Sequence, residues 1–161
     1  MITGELGIKL IKQFEGCHFN PYLCPALLWT VGYGHVLYPE QATLPLAKRK
    51  EIRLDPKDNR VWSQEEVDDL LKKDLKRFEL GVSRYITVPL KQCEFDALVS
   101  FAFNLGNGTL QRSSVRSKLN RGEKEEAMDT LLKYCRAGGK VLRGLERRRA
   151  AEVNLFFMES K

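Results

Sequence analysis

Residues 95–105 constrain the fold more than any other segment, because they are apolar almost all round if they are wound as a helix. A helix of that kind is buried on most of its sides and needs other helices packed around it. Gly106 follows directly and is a typical residue for a helix end. The sequence therefore predicts a helical domain with a central helix over about residues 90–105.

Other helices are predicted on both sides of this central one. Apolar residues recur at helical spacing over residues 3–13, and Gly16 then breaks the pattern, so Glu15 lies at the helix end. The C-terminal part has a turn at residues 137–139. Its predicted helices cover residues 113–120, 123–135 and about 144–157.

A long helix is predicted from residue 63, where Ser63 and Glu66 form a capping-box pattern. Its apolar face also carries Asp74, and an unpaired buried carboxylate is costly. His35 is the partner we expect for Asp74. The alternative is that Asp74 lies at the margin of the helix and faces water.

The remaining segments contain most of the prolines and glycines. Residues 17–35 combine them with aromatic and β-branched residues, which predicts a small β-hairpin region with tight turns. Residues 36–62 hold three prolines and are expected to be irregular.

Strands followed by helices, without alternation of the two, predict a predominantly helical α+β fold. We expect one domain over residues 1–161. A small β-containing lobe at about 14–62 and a connecting helix at about 63–80 precede a helical lobe, formed by residues 81–161 with 1–13. Clefts between lobes are common places for ligands.

Charge and cysteine content narrow the possible partners. The net charge of +6 favours an anionic partner such as nucleic acid, an anionic membrane or a polyanionic cell wall. No apolar run approaches the roughly 20 residues of a membrane span, and the N-terminus does not resemble a secretory signal, so we expect synthesis in the cytosol. The four cysteines lack metal-ligand spacing, which predicts free thiols, no metal and no cofactor.

A candidate site lies in the segment rich in glycine and aromatic residues. Glu15, Cys24 and Thr30 are a carboxylic acid and two further polar groups on a short stretch of chain. Cleavage of a glycosidic bond requires a proton for the leaving oxygen and water or a nucleophile at the anomeric carbon. Glu15, beside Phe14 and Phe19, suits the acid.

Three segments resemble the phage-type lysozymes, glycoside hydrolase family 24. The first is Glu15-Gly16, Tyr22, Cys24-Pro25 and Thr30-Val31-Gly32-Tyr33-Gly34-His35, where Glu, Asp or Cys, and Thr follow at the family's spacing. The other two are residues 95–106, similar to the central-helix signature, and residues 138–152, similar to the C-terminal signature. The resemblance spans residues 5 to 157, and only residues 36–60 look longer than the common pattern.

The resemblance implies a lysozyme-like fold and a muramidase that hydrolyses the bond between N-acetylmuramic acid and N-acetylglucosamine in peptidoglycan. Glu15 is then the general acid. Thr30 holds the water, or the substrate face, opposite the leaving group. The alternative for Thr30 is a strand residue chosen for its β propensity.

Cys24 stands where such sites more often carry an aspartate, and three roles are open. It positions water or acts as a weak base, it attacks the sugar as a nucleophile, or it is a bystander. A free thiol has a pKa of about 8.5, so a neighbouring cation such as His18 is expected to lower it.

Further residues are candidates for substrate binding. Tyr33 suits stacking on a sugar, unless it belongs to the core, while Gly34 allows the backbone to come close and His35 is adjacent. By resemblance, Asn104 hydrogen-bonds an N-acetyl group. The alternative is an ordinary residue at a helix end.

Basic residues near the end of the chain are candidates for orienting the site. Arg148 or Arg149 pairs with Glu15 or another carboxylate, or the run 147–149 is a solvated face. The cluster Lys48-Arg49-Lys50 is likewise a solvated loop or a contact with the wall.

The resemblance further implies a monomeric phage lysis protein with peptidoglycan as its partner, without nucleic acid or a stable membrane anchor. It waits in the host cytoplasm until a holin permeabilises the membrane, and then acts on the cell wall. The competing interpretations are a lytic transglycosylase, or a non-catalytic module that binds cell wall or nucleic acid.

Overall fold

The computed structural model describes residues 1–158 of the 161-residue chain. The helices in this part are α1 (Glu5–Glu15), α2 (Leu46–Arg49), α3 (Gln64–Tyr85), α4 (Gln92–Leu105), α5 (Asn107–Arg112), α6 (Ser114–Asn120), α7 (Lys124–Leu131) and α8 (Arg143–Phe156). The strands are β1 (His18–Leu23), β2 (Trp29–Gly32), β3 (His35–Val36), β4 (Arg136–Ala137) and β5 (Lys140–Val141). The predicted α+β class, predominantly helical, is confirmed.

The chain divides into two compact units. The smaller unit is residues 15–74, and the larger unit is residues 1–14 together with residues 75–161. The boundary between the two units, after residue 74, falls inside α3. Each unit is described by itself below.

The smaller unit contains a three-stranded antiparallel sheet in the order β1-β2-β3. A two-residue turn, Tyr33-Gly34, connects β2 to β3, and Thr30 pairs with both Tyr22 and Val36. Gly32 precedes this turn with a φ of +67°, and a Cβ there would lie 3.0 Å from the Cβ of Val67. Glycine is therefore required at this position both by the backbone conformation and by the contact with α3.

The start of α3 has the capping box predicted from sequence. The backbone N–H of Glu66 donates to the Ser63 hydroxyl (3.1 Å), and the Ser63 N–H donates to the Glu66 carboxylate (3.0 Å). The Arg60 guanidinium also donates to Glu66, at 2.9 and 2.6 Å. The helix ends at Tyr85 rather than near residue 80, because Val82 continues its buried apolar face.

Residues 36–62 contain more regular secondary structure than their prolines suggest. A 3-10 helix covers Pro39–Thr43, and α2 follows directly after Pro45. The expectation of a wholly irregular segment is wrong, because a proline at the start of a helix has no hydrogen bond to lose and already has a helical φ.

In the larger unit α4 is the buried central helix that the sequence predicts. Every residue from Cys93 to Ala102 is buried, and α4 contacts both α5 and α8. Two elements were not predicted. They are α5 and the β4–β5 hairpin, whose turn, Gly138-Gly139, takes φ values of +58° and +78°.

Candidate active site

Glu15 is the last residue of α1, and its side chain is partly exposed. Gly16 follows with a φ of +70°, a conformation that ends the helix there. The β2–β3 turn lies close by, since a Cβ on Gly34 would be 3.8 Å from Oε2 of Glu15. Gly34 has a φ of +84°, so a residue with a Cβ would be strained there, although its Cβ would only touch the carboxylate at an ordinary van der Waals distance.

Cys24 and Thr30 are brought together by the loop between β1 and β2. The Cys24 backbone N–H donates to the Leu28 carbonyl at 3.0 Å. The Thr30 hydroxyl donates to the same carbonyl at 2.9 Å. Thr30 is buried and Cys24 is half-buried, so the thiol is the more accessible of the two groups.

The Cys24 thiol lies in an environment that favours its ionised form. Burial alone raises its pKa, but the backbone N–H groups of Leu28 and Ala26 and the Thr30 hydroxyl lower it, and the net pKa is below the usual thiol value. These hydrogen-bond donors lower the pKa of Cys24, an effect that was expected from sequence for a cation such as His18. The His18 ring instead packs against Tyr22, with ring centroids 4.3 Å apart.

The Tyr22 hydroxyl is affected by the charges of both Glu15 and Cys24. Burial raises the pKa of the Tyr22 hydroxyl, and the negative charges of Cys24 and Glu15 raise it further. Both groups of the candidate site therefore act electrostatically on the same side chain.

The predicted pair between His35 and Asp74 is confirmed. Nδ1 of His35 lies 2.8 Å from Oδ2 of Asp74, with both side chains largely buried. The contact connects β3 to α3 inside the smaller unit. A role of His35 in substrate binding stays a prediction.

The structure favours the core interpretation of Tyr33. The residue is only 8% exposed, and its hydroxyl accepts a hydrogen bond from Nε2 of Gln64 at 3.0 Å. Little of its ring is available to stack on a sugar. Of the two neighbouring candidates, Gly34 is the one beside Glu15.

The basic run near the C-terminus is not a uniform solvated face. Arg147 is exposed, whereas Arg148 and Arg149 are buried together with Glu152. Nε of Arg149 lies 2.6 Å from Oε1 of Glu152, and Nε of Arg148 lies 3.4 Å from Oε2. Neither Nε–H is aimed at the carboxylate, so these two contacts are ion pairs rather than hydrogen bonds.

Hydrogen bonds complete this buried cluster. Nη2 of Arg149 and the Ser100 hydroxyl both donate to Oε2 of Glu152, at 2.9 and 2.6 Å. Nη2 of Arg149 also donates to the side-chain carbonyl of Asn104 at 2.9 Å. Burial lowers the pKa of Arg149, and the Glu152 charge opposes that shift. The Asn104 side-chain carbonyl is thus already engaged, and a contact between Asn104 and an N-acetyl group stays a prediction.

Sequence reasoning missed two sets of polar residues. Glu152 is the last residue of the C-terminal motif, and its spacing of three from Arg149 is the spacing of side chains that meet on one helix face. Gln41 and Arg49 donate hydrogen bonds to the backbone of the Cys24 loop. No local pattern marks Gln41, and Arg49 stands out only as part of the basic cluster 48–50.

Two findings concern ligands and membranes. Within residues 1–158, no group of three or more His, Cys, Asp or Glu side chains is placed to hold a metal ion. The helices of the same residues include none with the length and apolar character needed to span a membrane. All four cysteines are free thiols.

Comparison with known proteins identifies the family. The phage lysozyme family model matches residues 12–152. An endolysin of Bacillus phage B103 is 37% identical over 164 residues, which cover 100% of this chain and 56% of that protein. An endolysin of Acyrthosiphon pisum secondary endosymbiont phage 1 is 34% identical over 97% of this chain and 98% of its own length.

A solved structure is similar in fold as well as in sequence. The muramidase domain of SpmX from Asticaccaulis excentricus superposes with a TM-score of 0.79 and 32% identity, over 97% of both chains. The chain belongs to the phage lysozyme family, as its three motifs predicted. It spans little more than half the length of the Bacillus phage relative.

Proposed function

We propose that this protein is a peptidoglycan muramidase that hydrolyses the β-1,4 bond between N-acetylmuramic acid and N-acetylglucosamine. The observation that carries the proposal is that Cys24 and Thr30 lie at the β1–β2 pair and Glu15 lies beside the β2–β3 turn of the same sheet, in a chain of the phage lysozyme family. Relatives named endolysins and a similar muramidase domain support the same activity.

In this proposal Glu15 is the general acid. Its position at the end of α1, beside a turn that carries no side chain at Gly34, leaves space for a sugar oxygen. The proton of Glu15 passes to the leaving glycosidic oxygen as the bond to the anomeric carbon breaks.

Cys24 and Thr30 act on the attacking water. The Thr30 hydroxyl has one proton, which it donates either to the Leu28 carbonyl or to the Cys24 sulfur, and in both cases its lone pairs are left to accept a hydrogen bond from water. A Cys24 thiolate, favoured by the surrounding N–H groups, accepts the second proton of that water as its oxygen bonds to the anomeric carbon. Of the three roles open to Cys24, the weak base that also positions water fits this geometry best.

Biologically, we place this activity in host-cell lysis by a phage. The endolysin relatives support peptidoglycan as the substrate and the cell wall as the place of action. Access to the wall through a holin, and action as a monomer, are parts of the same proposal. Asn104 and His35 are its further candidates for substrate contacts.

The products of digestion test this function directly. Purified peptidoglycan is incubated with the native protein and with Glu15→Gln, and the fragments are identified by mass spectrometry. The expected products are reducing N-acetylmuramic acid ends, with at least about a 100-fold lower rate for Glu15→Gln, because a general acid contributes roughly that much or more.

Other products would contradict the proposal in distinguishable ways. Anhydro-muramic ends would assign the protein to the lytic transglycosylases. Absence of cleavage, with retained binding to the wall, would leave a binding module. Gln13→Met, a change at an exposed residue of α1 near Glu15, is the control and is expected to cleave at the native rate.

A further inference from the structure

The loop that carries Cys24 has an unusual backbone. Residues 24–28, hereafter the site loop, are closed by the Cys24 N–H on the Leu28 carbonyl (3.0 Å) and the Leu27 N–H on the Cys24 carbonyl (2.8 Å). Leu27 has a φ of +60°, which is costly for a residue with a Cβ. Such a conformation persists when surrounding contacts determine it.

Gln41 supplies part of that support from the 3-10 helix. Its side chain is 1% exposed, and its amide nitrogen donates to the Leu27 carbonyl at 3.0 Å. Its amide oxygen accepts from the Trp29 N–H at 3.1 Å. Gln41 therefore holds the backbone on both sides of Leu28, whose carbonyl receives the Thr30 hydroxyl.

Arg49 supports the preceding part of the site loop. Its Nη1 donates to the Ala26 carbonyl, while Nη2 and Nε donate to the carbonyls of Ala42 and Leu44, each at 2.9 Å. The Arg49 carbonyl in turn accepts from the amide nitrogen of Gln41 at 3.0 Å. The two side chains form one connected set of hydrogen bonds.

One peptide unit connects this set to the thiol. The carbonyl of Leu27 accepts from Gln41, and the N–H of the same peptide unit belongs to Leu28, whose interaction with Cys24 lowers the pKa of the thiol. Hydrogen bonds in such a chain polarise one another, so the bond from Gln41 orients and strengthens the Leu28 donor.

We propose that Gln41 and Arg49 are positioning residues of the active site, which hold the site loop so that the Leu28 N–H faces the Cys24 sulfur and the Thr30 hydroxyl stays on the Leu28 carbonyl. The inference rests on the proposed muramidase function for its catalytic consequence. It assigns a role to two residues of the segment 36–60, which we expect from sequence to be longer than the family pattern. It also gives Arg49 a role that its neighbours Lys48 and Lys50 do not share, since both lysines are exposed.

The test combines thiol reactivity with kinetics. Alkylation of Cys24 by iodoacetamide is followed against pH by peptide mass spectrometry, with the partly exposed Cys17 and Cys135 as internal references. For Gln41→Met, the pH midpoint of Cys24 alkylation is expected to rise by about half a pH unit to one unit, because a hydrogen bond that favours the thiolate is weakened. The kcat on peptidoglycan is expected to fall about 10- to 100-fold, with KM changed less than twofold, because the attacking groups are misplaced.

A second variant keeps the inference testable if Gln41→Met does not fold. Arg49→Lys retains the charge but lacks the planar guanidinium that reaches three carbonyls. A smaller rise in the pH midpoint of Cys24 alkylation and a smaller fall in kcat are therefore expected. The matched controls are Gln111→Met and Arg53→Lys, both at exposed positions. Neither is expected to move the Cys24 midpoint or kcat.

The outcomes separate this inference from the proposed function. A Cys24 midpoint or a kcat that stays at the native value in folded Gln41→Met and Arg49→Lys, in an enzyme that cleaves peptidoglycan, overturns the positioning role and leaves the muramidase standing. A shifted midpoint in a protein that cleaves nothing overturns the muramidase and supports the hold of Gln41 and Arg49 on the site loop.

Discussion

Glu152 in the larger unit and Cys24 in the smaller unit are both surrounded by hydrogen-bond donors, but the donors differ in kind. Glu152 is fully buried and meets two guanidinium groups and the Ser100 hydroxyl. Cys24 is half-buried and meets neutral backbone N–H groups and the Thr30 hydroxyl.

The surroundings of the two groups explain the difference. In the larger unit, α4 and its neighbours form an apolar core in which a charge is tolerated only with opposite charges around it. Among the described residues of the smaller unit, the buried apolar side chains are Val31, Tyr33, Val67 and Leu71. With so small a core, polar side chains such as Gln41 fix the loops, and a thiol held by neutral donors keeps the freedom to exchange a proton.

The strongest challenge to this comparison is Glu152→Gln. Removal of the carboxylate leaves Arg149 buried without the counter-charge that lies 2.6 Å from its Nε, so the free energy of unfolding is expected to fall by about 3–5 kcal/mol. Urea unfolding followed by circular dichroism measures it. Glu146→Gln, at an exposed position on the same helix, is the control and is expected to stay within about 0.5 kcal/mol of the native value. A loss below about 1 kcal/mol for Glu152→Gln would show that the cluster is not a balanced set of charges.

Cys24 variants test the other side of the comparison through activity. Cys24→Ala is expected to lose about 100-fold or more in kcat/KM, because no group then accepts the proton of water. Cys24→Asp is expected to keep substantial activity. Since the base must be deprotonated, activity rises with pH through its pKa, and an aspartate with a pKa near about 3.9 moves this rise to lower pH than the thiol does.

The pH profile of kcat/KM on peptidoglycan decides between the roles of Cys24. Cys17→Ala removes another partly exposed thiol of the same unit and is expected to leave the profile unchanged. Full activity of Cys24→Ala would make Cys24 a bystander. An identical acidic limb for the native enzyme and Cys24→Asp would exclude its action as the base.

The smallest effect is expected at Glu66, an exposed carboxylate held by Arg60. The Arg60 guanidinium, and then the Ser63 N–H, lower the pKa of Glu66 from 4.5 to about 2. A carboxyl with a depressed pKa stabilises the fold above its unfolded pKa and loses that contribution as pH falls through the folded value. As the pH falls from 4.5 to about 2, the native protein is therefore expected to lose a small part of its thermal stability. Glu66→Gln has no carboxyl to protonate at this position and is expected not to show this loss.

Melting temperatures measured across that range check the expectation. Glu65→Gln changes an exposed neighbour in the same first turn and serves as the control. If both variants followed the native curve, the paired carboxylate would contribute nothing measurable, as many exposed ion pairs do.

Features with a period or a local motif were predictable from sequence. The all-round apolar α4, the capping box at Ser63 and the pairing of Asp74 with His35 follow from spacing and from the cost of an unpaired buried charge. The spacing of Glu15, Cys24 and Thr30 likewise predicted one candidate site.

Features that depend on tertiary contacts were not predictable. In the sequence, Arg148 and Arg149 belong to a basic run. Only the packing of α8 against α4 buries them with Glu152. Gln41 reaches the carbonyl of Leu27 across 14 positions, which leaves no repeat in the sequence. The 3-10 helix was missed because prolines that start helices look the same as prolines that prevent them.

The separation of Arg49 from the lysines beside it has a consequence for how this segment can vary during evolution. Lys48 and Lys50 project into solvent, so mutation can change or remove their charges at little cost to the fold. Arg49 donates to three carbonyls, and lysine is a poor substitute at such a position. Substitutions at the two lysines can therefore change the charge on the outer surface of this segment while the arginine between them keeps the loop in place.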